Sequence, residues 1–288
     1  MPKHFKPIMR LYKTGKGFII ENEGQYYLSK ETNWDSFINR KDLFLAINSE
    51  IDKLVSEDGL KHIISTEALA PILNQEVWAS GVTYMRSKKA RMEESKDSGG
   101  GDFYDKVYDA DRPELFFKAT AGRVVGPGEN IRIRKDSKWN VPEPELTLFI
   151  NTFGQISGYT VGNDVSSRDI EGENPLYLPQ AKSYDKSAAL GPCIYVSATP
   201  IDPSSTITLE ISRSNKTLFK ESIEINQMKR THTDLVKYLY AECTFSQGCF
   251  LMTGTGIIPE DEFTLQVGDK VDISIAHIGT LSNTVETK

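Results

Sequence analysis

Residues 141–169 read VPEPELTLFINTFGQISGYTVGNDVSSRD, and the alternation of apolar and polar residues in this stretch predicts an antiparallel β-hairpin. Glu143 and Glu145 stand two positions apart, so on a strand both side chains project from one face, ~7 Å apart along it. The apolar residues that alternate with them form the other face, which fixes the register. Phe153-Gly154 is predicted as a two-residue hairpin loop, in which the glycine supplies a positive φ.

The register of this hairpin brings three carboxylates together. Counting outward from the loop places Asp164 opposite Glu143 and Gly162 opposite Glu145, and the glycine leaves space between the carboxylates. Three like charges at such close range are unfavourable unless a cation compensates them. Carboxylate oxygens are the ligands that hard cations prefer, so we predict a Mg²⁺ or Mn²⁺ site at these residues.

The alternative for the same carboxylates is an exposed acidic strand face that holds no ligand. Pro142 and Pro144 argue against a plain strand, because each proline removes a ladder donor and belongs at a sheet edge or a bulge. Bulges are over-represented beside active sites. These prolines therefore favour the metal-site hypothesis.

Charged residues continue beyond the hairpin at Arg168, Glu171, Lys182 and Asp185. Lys182 lies among small and loop-forming residues, where a cation beside a metal could hold a substrate carboxylate or, with a lowered pKa, act as a general base. The alternative is a surface lysine that pairs with Asp185. The Thr-Gly-Thr-Gly run at 253–256 offers hydroxyls and a flexible backbone for a ligand carboxylate, although such runs are also common in turns.

The composition excludes several classes of protein. The chain has 288 residues and a net charge of −6, from 34 Lys plus Arg against 40 Asp plus Glu, so neither a nucleic-acid nor a membrane partner is expected. No apolar run approaches the ~18 residues of a spanning helix, and the N-terminus lacks the apolar segment of a secretory signal. Cys193, Cys243 and Cys249 are predicted to be buried thiols in a reducing compartment. We therefore expect a cytoplasmic protein.

The length predicts two unequal domains. Residues 1–72 are expected to form a small α/β domain, and residues 73–288 a catalytic domain whose many short strands indicate a sandwich, roll or barrel. The mixed-charge segment 84–110 predicts two helical pieces joined by a hinge at Gly99–Gly101. This segment is either a solvated surface hairpin or a mobile lid that closes over a site.

Several separated motifs together resemble the fumarylacetoacetate hydrolase superfamily. They are the acidic pair, GYTVGNDVSSRD at 158–169, KSYD followed by LGP between 182 and 192, and VGDKVDISIAHIGTL at 267–281. Within this superfamily the chain is most similar to the branch of 2-keto-3-deoxy-D-arabinonate dehydratases, on KVYDADRPELFFKAT, WNVPEPEL and ENPLYLPQAKSY. The resemblance implies a β-rich α+β fold: a mixed β-sandwich or roll at the C-terminal side, with a small α/β domain before it.

The resemblance also implies functions for individual residues. It implies a Mg²⁺ site, with Mn²⁺ or Ca²⁺ as substitutes, whose ligands are Glu143, Glu145 and Asp164. The residues implied for catalysis are Lys182, Glu114 and Thr253, and the implied substrate contacts are Arg168, Tyr84, Glu171, Gly254 and Thr255.

One departure from the family pattern bears on the reaction. Hydrolases of the superfamily that cleave carbon–carbon bonds carry a catalytic His shortly after an aromatic residue, whereas this chain reads Tyr84-Met85-Arg86-Ser87-Lys88. Without that base the lyase interpretation gains over hydrolysis of a carbon–carbon bond.

The expected activity is Mg²⁺-dependent dehydration of a 2-keto-3-deoxy sugar acid to an aldehyde such as 2,5-dioxopentanoate. Lys182 and Glu114 are both candidates for the base, and Lys182 could instead form a Schiff base. The alternative functions are a hydrolase of acylpyruvates or related β-diketones, and a non-catalytic protein that binds keto acids. The resemblance further implies a homo-oligomer, either a dimer or a tetramer.

Overall fold

A computed structural model of the chain describes residues 8–94 and 101–288, without the side chains of residues 94 and 101–104. Its strands, β1 to β17 in chain order, are Ile8–Thr14, Gly17–Asn22, Gln25–Leu28, Glu76–Gly81, Glu114–Thr120, Val124–Val125, Asn130–Ile133, Asn140–Val141, Pro144–Ile150, Ile156–Asp164, Ser166–Ser167, Ala188–Ser197, Thr206–Arg213, Lys216–Glu224, Cys249–Met252, Lys270–Ile275 and Gly279–Thr287. Its α-helices, α1 to α8, are Trp34–Ile38, Leu43–Ile51, Leu60–Glu67, Met85–Glu94, Gly101–Asp109, Arg168–Glu173, Leu178–Lys182 and His232–Leu239.

Two sheets dominate the described residues. A ten-stranded sheet runs in the order β3-β2-β1-β12-β10-β9-β15-β4-β5, with β6 added beside β12, and a five-stranded sheet runs β14-β13-β16-β17-β7. Leu146, Leu148 and Ile150 of β9 pack in one apolar core with Leu209 and Ile273 of the smaller sheet. This shared core confirms the predicted β-rich α+β fold, in which two sheets pack face to face.

The opposite face of β9 is divided between a core and the acidic residues. Phe149 packs there in a second apolar core with Trp34, Phe37 and Ile47 of helices α1 and α2. Glu145 lies on the same face, four residues away along the strand. The site therefore occupies the end of the sheet face that α1 and α2 do not cover.

The predicted hairpin forms, and its register at the acidic end is confirmed. Gly162 pairs with Glu145, and the Asp164 N–H donates to the Glu143 carbonyl at 3.0 Å. The predicted two-residue loop is wrong, because the Asn151 N–H donates to the Gln155 carbonyl and leaves a three-residue loop. A register shift between 156 and 158 then restores the predicted pairing.

Strand pairing crosses the predicted domain boundary at residue 72. Strand β1 pairs antiparallel with β12, so the three N-terminal strands extend the large sheet of the body. The boundary at 72 stays a prediction. One cysteine prediction is wrong: Cys193 and Cys249 are buried, but Cys243 is exposed just after α8. None of the helices in the described ranges is long and apolar enough to cross a membrane.

The charged segment contains the two predicted helices, α4 and α5. They have a small core of their own around Val82 and Tyr108. The Lys88 ammonium bridges the helices by pairing with Asp105 at 2.7 Å. Of the predicted hinge at Gly99–Gly101, Gly99 and Gly100 lie outside the described residues, so the choice between lid and surface hairpin stays open.

Candidate active site

The three carboxylates predicted from the hairpin lie together and are buried. Glu143, Glu145 and Asp164 are 5%, 1% and 1% exposed, and each offers one oxygen within 4.8 Å of the others. Burial, together with the charges of Asp164 and Glu143, raises the pKa of Glu145 well above its ordinary value. Burial alone would also raise the pKa of Asp164, but nearby Lys118 and Lys182 outweigh it and lower that pKa.

The local sequence explains how the strand ends hold these carboxylates. Pro144 has no N–H to donate to the neighbouring strand. Strand pairing continues beyond it through the Asp164 N–H, which donates to the Glu143 carbonyl. The Glu143 N–H in turn donates to Asn163 Oδ1 at 3.2 Å. The space beside Gly162 is not open, in contrast to the prediction. A Cβ there would lie 2.2 Å from Thr147 Oγ1, so the glycine makes room for this threonine.

Lys182 ends the short helix α7 and points into the carboxylate cluster. Its ammonium donates to Glu143 Oε2 at 2.6 Å, to Asp164 Oδ2 at 3.2 Å and to Ser166 Oγ at 2.6 Å. Burial opposes its charge, but Asp164 and Glu143 outweigh burial and raise the pKa of Lys182. The alternative of a surface lysine paired with Asp185 is wrong, because Lys182 is fully buried.

Lys118 is a site residue that the sequence analysis missed. It is fully buried on β5, and its ammonium lies 2.5 Å from Asp164 Oδ1. The same ammonium donates to the carbonyls of Val165 at 3.0 Å and Lys182 at 2.5 Å. Lys118 thus orients one carboxylate of the triad and the backbone of Lys182. The available signal was its position in the ELFFKAT stretch, four residues after Glu114.

A second buried ion-pair group adjoins the triad. Arg168 donates to Glu143 Oε1 at 2.8 Å, and burial lowers the pKa of Arg168 to about 10. Glu171, one turn along α6, pairs with Arg91 from helix α4 and lies 4.0 Å from the Lys182 ammonium. The charged helix α4 therefore contributes a buried arginine to the site, which the sequence analysis did not predict.

Glu114 stands at the first position of β5, opposite Gly81 on β4. A Cβ at Gly81 would lie 2.0 Å from Glu114 Oε2, so the glycine makes room for the carboxylate. This oxygen is buried and has no hydrogen-bond partner among the residues that the structure describes. Burial raises the pKa of Glu114 despite the opposing charge of Arg91.

Of the remaining predicted residues, three follow directly on β15 and one follows β4. The Gly254 N–H donates to Glu145 Oε2 at 2.5 Å. The hydroxyl of Thr253 donates to the Leu146 carbonyl at 2.8 Å, and that of Thr255 donates to the Ile257 carbonyl at 3.1 Å. Both hydroxyl protons are therefore bound to backbone carbonyls. Tyr84 is buried, and within the described ranges its hydroxyl has no hydrogen-bond partner.

The charges of this cluster suit a divalent cation. Within the part of the chain that the structure describes, five carboxylates and four cations leave one excess negative charge; they are Glu114, Glu143, Glu145, Asp164 and Glu171 with Arg91, Lys118, Arg168 and Lys182. A bound divalent cation would turn this excess into one positive charge, which the carboxylate of a bound substrate would neutralise. The triad of hard oxygen donors fits Mg²⁺.

The raised pKa of Glu145 predicts a pH effect on the metal-free protein. A carboxyl whose pKa is raised on folding stabilises the fold below its unfolded pKa, and this contribution is lost as the pH rises through the folded value. Glu145→Gln cannot ionise, so we expect the variant to gain stability relative to the wild type as the pH rises from about 4.5. Urea unfolding in EDTA from pH 4.5 to 8 measures this difference.

The matched control for this experiment is Glu242→Gln, which makes the same chemical change at an exposed position. A Glu145→Gln difference that stays as flat with pH as the control, or that moves in the opposite direction, contradicts the prediction.

Two curated relatives that this chain resembles are named as sugar-acid dehydratases. A probable 2-keto-3-deoxyxylonate dehydratase of Haloferax volcanii is 48% identical over 225 residues, which is 78% of this chain and 76% of the relative. The 2-dehydro-3-deoxy-D-arabinonate dehydratase of Saccharolobus solfataricus is 44% identical over 220 residues, 76% of this chain and 74% of the relative.

The fold and the family agree with these relatives. The solved structure of a 2-keto-3-deoxy-D-arabinonate dehydratase complexed with magnesium and 2,5-dioxopentanoate has a TM-score of 0.81 and 34% identity, and the match covers 98% of this chain and 99% of that one. Residues 77–286 match the fumarylacetoacetate (FAA) hydrolase C-terminal domain, a span that contains every carboxylate and cation of the site. The chain belongs to the fumarylacetoacetate hydrolase family.

Proposed function

We propose that this protein is a Mg²⁺-dependent dehydratase of a 2-keto-3-deoxy sugar acid, and that 2-keto-3-deoxy-D-arabinonate yields 2,5-dioxopentanoate and water. The observation that carries the proposal is the buried triad of Glu143, Glu145 and Asp164 with the Lys182 ammonium on two of its members. The dehydratase relatives at 48% and 44% identity supply the class of substrate. The absence of a His after Tyr84 speaks against the hydrolase alternative.

In this proposal the triad holds the metal ion. Bound Mg²⁺ supplies a Lewis acid that polarises the keto group of the substrate and makes its C3 protons more acidic. Arg168 and Lys182 supply positive charge beside the triad, where the substrate carboxylate binds. Tyr84 closes the site on the side of Glu145 and offers a buried hydroxyl with no partner among the described residues.

We assign the proton transfers from the hydrogen bonds of Lys182 and Glu114. All three ammonium protons of Lys182 are donated to acceptors, so the group is held in its charged form and has no lone pair with which to act as a base; by elimination we assign it to protonate the leaving C4 hydroxyl. Glu114 Oε2 has no hydrogen-bond partner in the described ranges and is able to accept a proton from C3. Loss of water leaves a C3=C4 double bond conjugated to the keto group, with the C5 hydroxyl still in place. A proton shift from C5 to C3 then gives the C4=C5 enol, which tautomerises to the aldehyde.

A substrate panel tests this function. The protein is incubated with 2-keto-3-deoxy acids of five and six carbons and both C4 configurations, and the aldehyde product is measured with Mg²⁺, after EDTA, and after Mg²⁺ is restored. We expect aldehyde from at least one five-carbon acid, loss of turnover in EDTA and recovery with Mg²⁺.

Four results contradict the proposal. Full turnover after EDTA shows that the reaction needs no metal. Borohydride trapping of a substrate adduct on Lys182 shows that a Schiff base, and not a metal ion, activates the keto group. Release of pyruvate from acylpyruvates, without aldehyde from the panel, assigns the protein to the hydrolases. Substrate binding with no turnover in any metal assigns it to non-catalytic binding proteins.

The homo-oligomer, the cytoplasmic location and the domain boundary at residue 72 stay predictions. Light scattering of the purified protein measures the first, with a dimer or a tetramer expected. The roles of Glu171, Gly254 and Thr255 in binding substrate and of Thr253 in catalysis are likewise proposals. The Thr253 and Thr255 hydroxyls must take part as acceptors, because each proton is donated to a backbone carbonyl.

A further inference from the structure

A basic pocket of about 570 Å³ lies beside the segment that follows Lys182. Five basic side chains line it against two acidic ones; they are Arg123, Arg132, Arg134, Lys135 and Lys288, with Asp136 and Asp185. The chain as a whole carries a net charge of −6. The pocket is therefore a local reversal of the charge of the protein, which raises the concentration of anions there.

The arginines of this pocket are less exposed than its carboxylates. The side chains of Arg132, Arg134 and Arg123 are 18%, 23% and 42% exposed, whereas those of Asp185 and Asp136 are 59% and 65% exposed. The Nε of Arg132 is buried and has no hydrogen-bond partner among the described residues. A buried donor without an acceptor is costly, so the Arg132 guanidinium is short of one acceptor.

The acidic neighbours satisfy Arg134 fully and Arg132 in part. Arg134 donates to both carboxylate oxygens of Asp136, at 2.8 and 2.5 Å, and to the Gln180 carbonyl at 3.1 Å. Arg132 donates to Glu286 Oε1 at 2.9 Å.

Arg123 and Arg132 share one carboxylate, Asp185, at 3.9 and 3.6 Å. These distances are longer than the ~2.7–2.9 Å of a charge-assisted hydrogen bond. Arginine forks match the oxygens of a phosphate group in paired hydrogen bonds, so a phosphate could take the donors that Asp185 does not reach.

The pocket is separate from the metal triad but lies close to it. The ring of Tyr184, which lines the pocket, has the Arg134 guanidinium 5.6 Å from its centre and the Lys118 ammonium 6.0 Å away. Lys118 in turn contacts Asp164. One aromatic ring thus separates the basic pocket from the buried lysine of the active site.

We propose that this pocket binds the phosphate group of a small phosphorylated metabolite, through Arg123 and Arg132. The volume of about 570 Å³ falls in the range of small-molecule sites and exceeds what a lone phosphate fills. The site lies outside the keto-acid chemistry, so the proposal does not rest on the dehydratase function, and its test uses binding alone.

Isothermal titration calorimetry with inorganic phosphate and with AMP tests the proposal, at constant ionic strength set with chloride. We expect saturable one-to-one binding to the wild type and at least ~10-fold weaker binding to Arg123→Gln/Arg132→Gln, because hydrogen bonds to charged groups are lost. Arg123→Lys keeps the charge but loses the fork and is expected to bind with intermediate affinity. The matched control is Arg40→Gln, whose arginine is 25% exposed and pairs with Glu50 elsewhere in the chain.

Each outcome decides between alternatives. Binding of AMP and phosphate, weakened in the double variant but not in Arg40→Gln, supports a site for a phosphate ester. Binding of phosphate alone, with the same variant pattern, assigns the site to the free anion. No saturable binding of either probe, or equal binding by the wild type and the folded double variant, overturns the proposal.

Discussion

Replacing Asp164 by Asn is expected to weaken Mg²⁺ binding at least ~100-fold and to reduce kcat/KM for dehydration by about as much or more, since loss of outer-shell partners alone costs up to that factor. Asn keeps the shape of Asp164 but removes one of the five charges that offset Arg91, Lys118, Arg168 and Lys182. The excess negative charge that favours a divalent cation then disappears. Calorimetric titration with Mg²⁺ and steady-state kinetics measure the two effects.

Asp269→Asn is the matched control for this variant. Asp269 is also fully buried and ion-paired, with Arg213 at 2.6 Å, but it lies between β15 and β16, away from the triad. We expect this control to lose stability and to retain its affinity for Mg²⁺. Wild-type affinity in folded Asp164→Asn, or an equal loss of affinity in the control, contradicts the assignment of the metal site.

The part of the site that could be predicted from the sequence is the part that one hairpin determines. Side chains alternate along a strand, so the spacing of Glu143 and Glu145 and the partner position of Asp164 follow from local geometry. The prediction of the loop was wrong, yet the register at the acidic end survived. The loop is one residue longer than predicted, and the bulge near Ser157 shifts the pairing by one residue in the opposite sense. The two departures therefore cancel at the acidic end of the hairpin.

The missed residues reach the site through long-range topology. Lys118 arrives on β5, Arg91 on the charged helix α4, and Gly81 on β4, each far in sequence from the hairpin. No periodicity relates these positions to Glu143, because their approach depends on the order of strands in the ten-stranded sheet. From sequence alone a Lys or Arg is expected at the surface, so its burial cannot be predicted until its carboxylate partner is known.

Two predictions about surface exposure were also wrong, one for Cys243 and one for Lys182. Cys243 stands in an apolar stretch of sequence but follows the end of α8, where the chain turns outward. Lys182 and Asp185 are three residues apart and of opposite charge, which favours a local pair. Instead α7 ends at Lys182 and turns it inward, while Asp185 lies 3.6 Å from Arg132.

The assignment of Glu114 as base and Lys182 as acid predicts opposite isotope behaviour in two variants. Both Glu114→Gln and Lys182→Met are expected to lose about 10²–10⁴-fold in kcat, the range of general acid–base catalysis. In D₂O, Lys182→Met should still exchange a C3 proton of the substrate for deuterium, because Glu114 remains to remove it. Glu114→Gln should lose both exchange and aldehyde formation. Mass spectrometry of recovered substrate, corrected for exchange without enzyme, measures the difference.

Two further variants separate chemistry from damage to the site. Lys182→Arg keeps a cation between Glu143 and Asp164, so the charge balance of the metal site is unchanged, but it cannot readily give up its proton. It is therefore expected to exchange C3 protons and to form little aldehyde. Lys13→Met removes a partly buried lysine that donates to the Ile72 carbonyl, and it should leave turnover and exchange unchanged. Exchange that persists in Glu114→Gln, or that vanishes in metal-loaded Lys182→Arg, contradicts the assignment and makes Lys182 the base.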